Sequence, residues 1–321
     1  MLIAGVDLGA TYVRCALSRD GKLLARKKEP TNKSSRDAIA AQIVGMIRSL
    51  LKEKGLERVE KVGIASAGPL DLKKGAVVNS PNLGFSFIPL VKPVSEELDT
   101  QAILINDCVA GVVGEWKFGA GKKHNNLVYI TISTGIGAGV VVDGHVLIGK
   151  DGNAHEIGHI VIDMDGRLTC GCGAKGHWEA YCSGKNIPNY VRMRLTQLGW
   201  FERSWLSRLG DPQKITAKDV FEGCRRGDRF CKQMVEEIGR MNAMGVASAV
   251  NAYDPSLVSL GGSVVFENRE LVLGPIKRHM AEYLLNRKPK IVITPLGEDV
   301  VLYGALAVAG ESLGIAWEEL L

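Results

Sequence analysis

The chain has 321 residues, of which 46% are hydrophobic and 23% charged, with a net charge of +5. That is the balance of an ordinary globular protein of about two domains. The charge is too small and scattered for a nucleic-acid surface, since no basic block exceeds Arg26-Lys27-Lys28. No apolar run approaches the roughly 18 residues of a membrane span.

In chain order, Met1-Leu2-Ile3-Ala4-Gly5-Val6-Asp7 reads as a buried strand, not a leader peptide. Leu2 to Val6, Val13 to Ser18 and Leu23 to Lys28 form a β-meander with turns at Gly9-Ala10-Thr11 and Asp20-Gly21. Ser35 to Lys54 has helical periodicity and stops before Gly55. Val59 to Ala65 is a strand entering the turn Ser66-Ala67-Gly68-Pro69; Ala102 to Asn106 is another, followed by a helix from Cys108 to Phe118. Leu127 to Ser133, Gly137 to Val142 and His145 to Ile148 repeat the meander. Residues 186–250 read as mostly helical, with a loop near Gly210-Asp211-Pro212. Leu257 to Leu260 and Lys290 to Thr294 are strands, and Val300 to Gly310 begins a last helix. The repeated theme predicts an α/β fold of two similar domains facing one cleft. One takes residues 1–116 plus 300–321; the other takes 117–299.

Residues 156–179 carry the densest chemistry. His159, Cys170, Cys172 and His177 have the spacing of a tetrahedral zinc knot, flanked by the carboxylates of Glu156 and Glu179. Four protein ligands leave no open position, so the metal is expected to be structural; a reduced cysteine hairpin is the alternative. The other cysteines (15, 108, 182, 224 and 231) lie mostly in apolar segments, as in a reducing compartment.

Four further places stand out. Asp7-Leu8-Gly9-Ala10-Thr11 is a small-residue turn whose amides can approach a phosphate, with Thr11 as donor and Asp7 suited to magnesium through water. Taken alone, such a turn is more often a plain hairpin. Thr134-Gly135-Ile136-Gly137 is a second phosphate clamp or a Gly-bulged strand; a strand follows it, which excludes the dinucleotide fingerprint. Gly261-Gly262 ends a strand where a purine can lie, or forms a left-handed turn. Asn106-Asp107 ends a strand and opens a helix. An Asp there is commonly an N-cap, and it is also a base for a hydroxyl attacking phosphorus.

Together these elements resemble the ROK family (repressor, open reading frame, kinase) of sugar kinases, within the actin-like, ribonuclease H-like ATPase superfamily. The resemblance covers nearly the whole chain. It rests on Glu156-x-x-His159 followed by Cys-x-Cys-Gly-x-x-Gly-x-x-Glu, with Ala67-Gly68-Pro69, Asn79-Ser80-Pro81-Asn82-Leu83-Gly84 and Ala180-Tyr181-Cys182-Ser183-Gly184. His177 stands where the family usually carries cysteine, and four metal donors are kept.

The resemblance implies two ribonuclease H-like domains and ATP-dependent phosphorylation of a hexose at its 6-hydroxyl. Glucose is favoured over mannose, fructose, N-acetylglucosamine and N-acetylmannosamine; polyphosphate is the alternative donor. Asp107 would be the base. Ser66, Gly68, Asn82, Asn106, Glu156, His159 and Glu179 would bind the sugar. Asp7, Gly9, Ala10, Thr11, Thr134, Gly135 and Gly137 would hold ATP phosphates and Mg2+, while Gly261 and Gly262 lie against the adenosine. It also implies retained zinc and a homodimer; the weak charge and lack of a long apolar run lead to no expected nucleic-acid or membrane partner, and the cysteines to a cytoplasmic location. The family's repressors carry a winged helix ahead of the first strand, for which a strand beginning at residue 2 leaves no room.

Overall fold

The structure, a computed structural model, describes residues 1–80 and 82–310. Pro81 of the Asn79–Gly84 motif and residues 311–321 of the expected last helix lie outside the described residues. The elements are β1 (Leu2–Leu8), β2 (Tyr12–Arg19), β3 (Lys22–Pro30), α1 (Arg36–Glu53), β4 (Lys61–Ser66), β5 (Leu70–Asp71), β6 (Ala76–Ser80), β7 (Phe85–Pro89), α2 (Val91–Leu98), β8 (Gln101–Asn106) and α3 (Asp107–Lys117). There follow β9 (Leu127–Ile132), β10 (Ile136–Val142), β11 (His145–Val146), α4 (Glu179–Cys182), α5 (Ile187–Leu198), α6 (Ala217–Arg225), α7 (Arg229–Tyr253), β12 (Leu257–Gly261), α8 (Ser263–Glu267), α9 (Arg269–His279), β13 (Lys290–Ile293) and α10 (Val300–Gly310).

Two compact units result. One holds Met1–Leu127, Gly139–His155 and the described residues from Thr294 onward; the other holds Val128–Ala138 and Glu156–Ile293. Residues 117–127 and 139–155 thus pack with the first unit, whereas the sequence reading changed domain at 117. The two large sheets share one plan, β3-β2-β1-β4-β8 and β11-β10-β9-β12-β13. This is the duplication expected from the repeated meander. A third sheet, β5-β6-β7, was not foreseen.

In the first unit every residue of β1 is buried, as in a strand covered on both faces. On one face lies α1, whose stripe Ile39, Ile43, Ile47 and Leu50 joins Val6, Val13, Cys15 and Leu17 in one core. Its N-cap is Ser35, which accepts the amide of Ala38 at 3.1 Å. On the other face, Ile3 and Ala16 meet Leu302 and Leu306 of α10. The last described helix therefore returns to the first sheet.

That return needs glycine. A Cβ on Gly304 of α10 would overlap the carbonyl oxygen of Ala110 in α3, and one on Gly63 of β4 would overlap that of Ala305. Both obstacles are backbone and have nowhere to move. We therefore expect Gly304→Val to lower the unfolding free energy by about 3 kcal/mol. Gly45→Ala, at an exposed α1 position with open space around it, should leave it level or raise it by about 0.5–1 kcal/mol. Urea midpoints at constant m decide the matter; equal midpoints for Gly304→Val and wild type would contradict it.

Candidate active site and metal centre

In the first unit, β1, β4 and β8 run parallel, with Leu8 opposite Ser66 and Ser66 opposite Asn106. Their carboxyl ends therefore form one rim, the position at which open α/β sheets bind ligands. Asp7 sits at this rim beside Arg14, directly opposite it on β2. The guanidinium donates to Asp7 Oδ2 at 2.8 Å and to Glu298 Oε2 at 3.1 Å. Burial raises the Asp7 carboxyl to about 6, against the opposing pull of Arg14. After Asp7, Gly9 closes the turn by donating its N–H to the Tyr12 carbonyl at 3.0 Å. The Gly9 carbonyl accepts the Thr31 hydroxyl at 2.7 Å, and Ala10 and Thr11 lie at the surface end of the turn.

Across the rim, the cap of α3 belongs to Asn106. Its Oδ1 accepts Cys108 N at 2.8 Å and Val109 N at 3.3 Å. Asp107 is the first helical residue, so capping does not require it. Asn106 thus takes the cap, and Asp107 stands at a helix N-terminus, where negative charge is favoured. Its Oδ1 lies 2.8 Å from Cys108 N. The protein packed around its carboxyl raises its pKa, and hydrogen bonds from the Cys108 thiol and amide, with nearby His155, oppose that rise. Ser66 is fully buried, with its hydroxyl donating to the Ala67 carbonyl at 3.2 Å. Gly68 leads into Pro69 and is close to the Asn106 amide. Asn82 is exposed, and its carbonyl accepts Lys33 Nζ at 3.0 Å.

In the second unit the turn between β9 and β10 carries Thr134 exposed, Gly135 half-buried and Gly137 just inside β10. A cavity of about 340 Å³ opens beside it, lined in part by Ser133, Thr134, Lys185, Lys218, Ser263 and Asn268. That is within the usual size of small-molecule sites. Gly261 and Gly262 end β12, but the space a Cβ would occupy is already filled. At Gly261 it holds the Tyr129 ring, and at Gly262 the Ile132 carbonyl. Gly262 has φ +92°, a conformation that favours glycine. Packing therefore requires glycine at both positions.

The four proposed metal donors also lie in this unit, with one ligand atom from each within 4.8 Å of every other. His159 Nδ1 is 3.2 Å from His177 Nδ1, Cys170 Sγ is 3.7 Å from His159 Nδ1, and Cys172 Sγ is 3.3 Å from His177 Nδ1. A zinc tetrahedron with bonds of about 2.0–2.3 Å has edges of roughly 3.3–3.8 Å, so the donor set fits the ion in chemistry and in size. Nδ1 of both rings faces the cluster, and His159 Nε2 lies 3.6 Å from Glu156 Oε2. Burial pushes the Cys170 thiol up to about 11, and burial with His159 holds His177 below its ordinary value. A bound dication would favour the thiolate instead.

Three features were not read from sequence. Arg14 follows from the tight turn at 9–11, which places it opposite Asp7. Lys185, just after the 180–184 motif, and Lys218, in a segment with no motif, line the cavity. The network at Asp163, which takes Arg167 Nε at 3.0 Å and Tyr181 Oη at 2.5 Å, binds loop to helix across distant sequence. Among the described residues, no helix is long and apolar enough to cross a membrane.

The ROK family model matches residues 3–311. A glucokinase of Aeropyrum pernix is 38% identical over 314 residues, 96% of each chain. Among solved structures, the ROK hexokinase of Thermus thermophilus is 30% identical with a TM-score of 0.80, covering 96% of this chain and 98% of that one. A ROK family glucokinase of Streptomyces griseus, in complex with glucose and AMPPNP, is 32% identical with a TM-score of 0.75, covering 96% and 99%. Rim, glycine turn and four-donor cluster thus occur in a chain similar to these kinases over almost its full length: this protein belongs to the ROK family.

Proposed function

We propose that this chain transfers the γ-phosphoryl group of ATP to the 6-hydroxyl of a hexose, with glucose as the preferred acceptor. The observation that carries the reading is the division of labour at the start of α3: Asn106 caps the helix through two amides, so the Asp107 carboxyl, held in place by Cys108, is not needed for the cap. The similarity to glucokinases over nearly the full chain supports the reaction class.

The sugar oxygen bonds to the γ-phosphorus, its proton passes to Asp107, and the bond from phosphorus to the ADP oxygen breaks. The raised pKa of Asp107 makes it a better proton acceptor than an ordinary surface aspartate. Asp7, Gly9, Ala10 and Thr11, with Thr134, Gly135 and Gly137, take the phosphates through backbone and hydroxyl donors. Gly261 and Gly262 border the adenosine. Ser66, Gly68, Asn82, Asn106, Glu156, His159 and Glu179 take the sugar's hydroxyls. Mg2+ would be held near Asp7, where Arg14 already occupies Oδ2, and it supplies charge neutralisation to the phosphoryl oxygens. His159, Cys170, Cys172 and His177 would hold structural zinc, which fixes the ring of His159 and so the direction of its Nε2.

A cytoplasmic homodimer belongs to the same proposal. Among the described residues no cysteine is joined in a disulfide, which fits a reducing compartment.

The test is ADP release from MgATP with glucose, mannose, fructose, N-acetylglucosamine and N-acetylmannosamine in parallel. Glucose is expected to give the highest kcat/KM. ADP release that no sugar raises above the sugar-free rate would refute the proposal.

A further inference from the structure

We propose that Glu179 is a positioning residue for the glycine turn at 133–136, and through it for the nucleotide. This rests on the reading that the turn holds nucleotide phosphates.

The turn is short and closes on itself through Ser133 N to the Gly135 carbonyl at 2.9 Å. Three of its other backbone groups go to one segment, 179–185. Ile136 N donates to Glu179 Oε2 at 2.8 Å. Gly184 N donates to the Ser133 carbonyl at 2.7 Å, and Lys185 N donates to the Thr134 carbonyl at 3.3 Å. The two amide donors are main chain, and a Cβ on Gly184 would come within 2.9 Å of the Ser133 carbonyl oxygen. The acceptor is a single carboxylate, and it is charge-assisted.

Gly135 shows how closely the two are fitted. A Cβ there would lie 2.6 Å from Glu179 Oε2, so the glycine makes room for the carboxylate as well as for a ligand. Ile136 is buried. Without Glu179 its amide loses a partner away from water, and the turn must shift to find another.

Segment 179–185 is itself held in place. Trp178 is fully buried, donates Nε1 to Asn242 Oδ1 at 2.9 Å and packs against Gly245. Trp178 N donates to the Ile160 carbonyl at 3.0 Å, and the Glu179 carbonyl accepts Asn186 Nδ2 at 3.2 Å. The metal donor His177 is two residues upstream, and Glu179 Oε1 lies 3.7 Å from Cys170 Sγ. A carboxylate assigned to the sugar is thus also the strut by which the metal loop sets the shape of the turn.

The experiment measures ADP binding by calorimetry with no sugar present, together with amide exchange at Ile136. Glu179→Ala and Glu179→Asp, the second being one methylene too short, are expected to weaken ADP binding about tenfold or more and to speed exchange at Ile136. Glu179→Gln keeps an acceptor oxygen and should bind ADP within about threefold of wild type. If Glu179→Ala does not fold, Glu179→Asp decides. ADP affinity within twofold of wild type and unchanged Ile136 exchange in the Asp variant would overturn the proposal and leave Glu179 acting on sugar alone. If wild type itself bound no ADP, the nucleotide reading of the turn would fail, and Ile136 exchange would still judge the strut.

Discussion

Asp107→Ala is expected to lower kcat by about a thousandfold or more while glucose affinity stays within a few-fold of wild type. The first part follows from removing a general base, a contribution of about 10²–10⁴ in rate. The second follows from the structure at the start of α3. Asn106 provides the cap through two amides, so the helix and the rim survive the truncation, and sugar contacts elsewhere are kept. The pH profile adds an independent check. The base must be ionised to accept a proton, and burial raises its pKa above the ordinary carboxylate value. Wild-type kcat should therefore fall as pH drops through that raised value, and Asp107→Asn should lose this acid limb. Retention of even a tenth of wild-type turnover in Asp107→Ala would show that another group takes the proton.

Cys170→Ser is expected to drop the zinc content from about one per chain to near zero and to raise the KM for glucose at least about tenfold, the range for loss of ligand orientation. Cys170 is the buried thiol of the knot, and its loss leaves three donors. His159 would then turn freely, and with it the Nε2 that faces Glu156. The variant should nevertheless remain folded at neutral pH, because a second device holds the loop. Burial pushes Asp163 up, but the hydrogen bonds from Arg167 and Tyr181 outweigh it and bring the carboxyl to about 2. A carboxylate with a lowered folded-state pKa stabilises above its unfolded value of about 4, and that stabilisation is lost as pH falls towards 2. Elemental analysis, steady-state kinetics and circular dichroism check the three parts. A zinc-free variant with wild-type KM would show that the knot does not position the sugar site.

What was legible in the chain divides along physical lines. The meanders and α1 were readable because alternation and a helical stripe are local signals, and α1 carries both its Ser35 cap and its stop at Gly55 (φ +64°). Strands β5 to β7 were missed: β5 has two residues, and β7 ends in proline. Helices α8 and α9 were missed because Asn268 breaks the pattern and Pro275 lies inside α9. The cluster of four donors was readable from spacing, since bringing them together needs only that they lie within reach of one another. The use of Nδ1 by both histidines was not, because ring orientation is set by packing. At Asn106-Asp107 the pair was visible, but which residue capped the helix needed backbone geometry. The link from Glu179 to Ile136 spans 43 residues and leaves no local mark.

The central claim is tested most directly by product analysis after incubating the protein with MgATP and glucose. Mass spectrometry and phosphorus NMR should find glucose 6-phosphate and ADP in equal amounts, with no inorganic phosphate beyond background. ADP accompanied by free phosphate and no sugar phosphate, or phosphate carried on the 1-hydroxyl, would contradict the account.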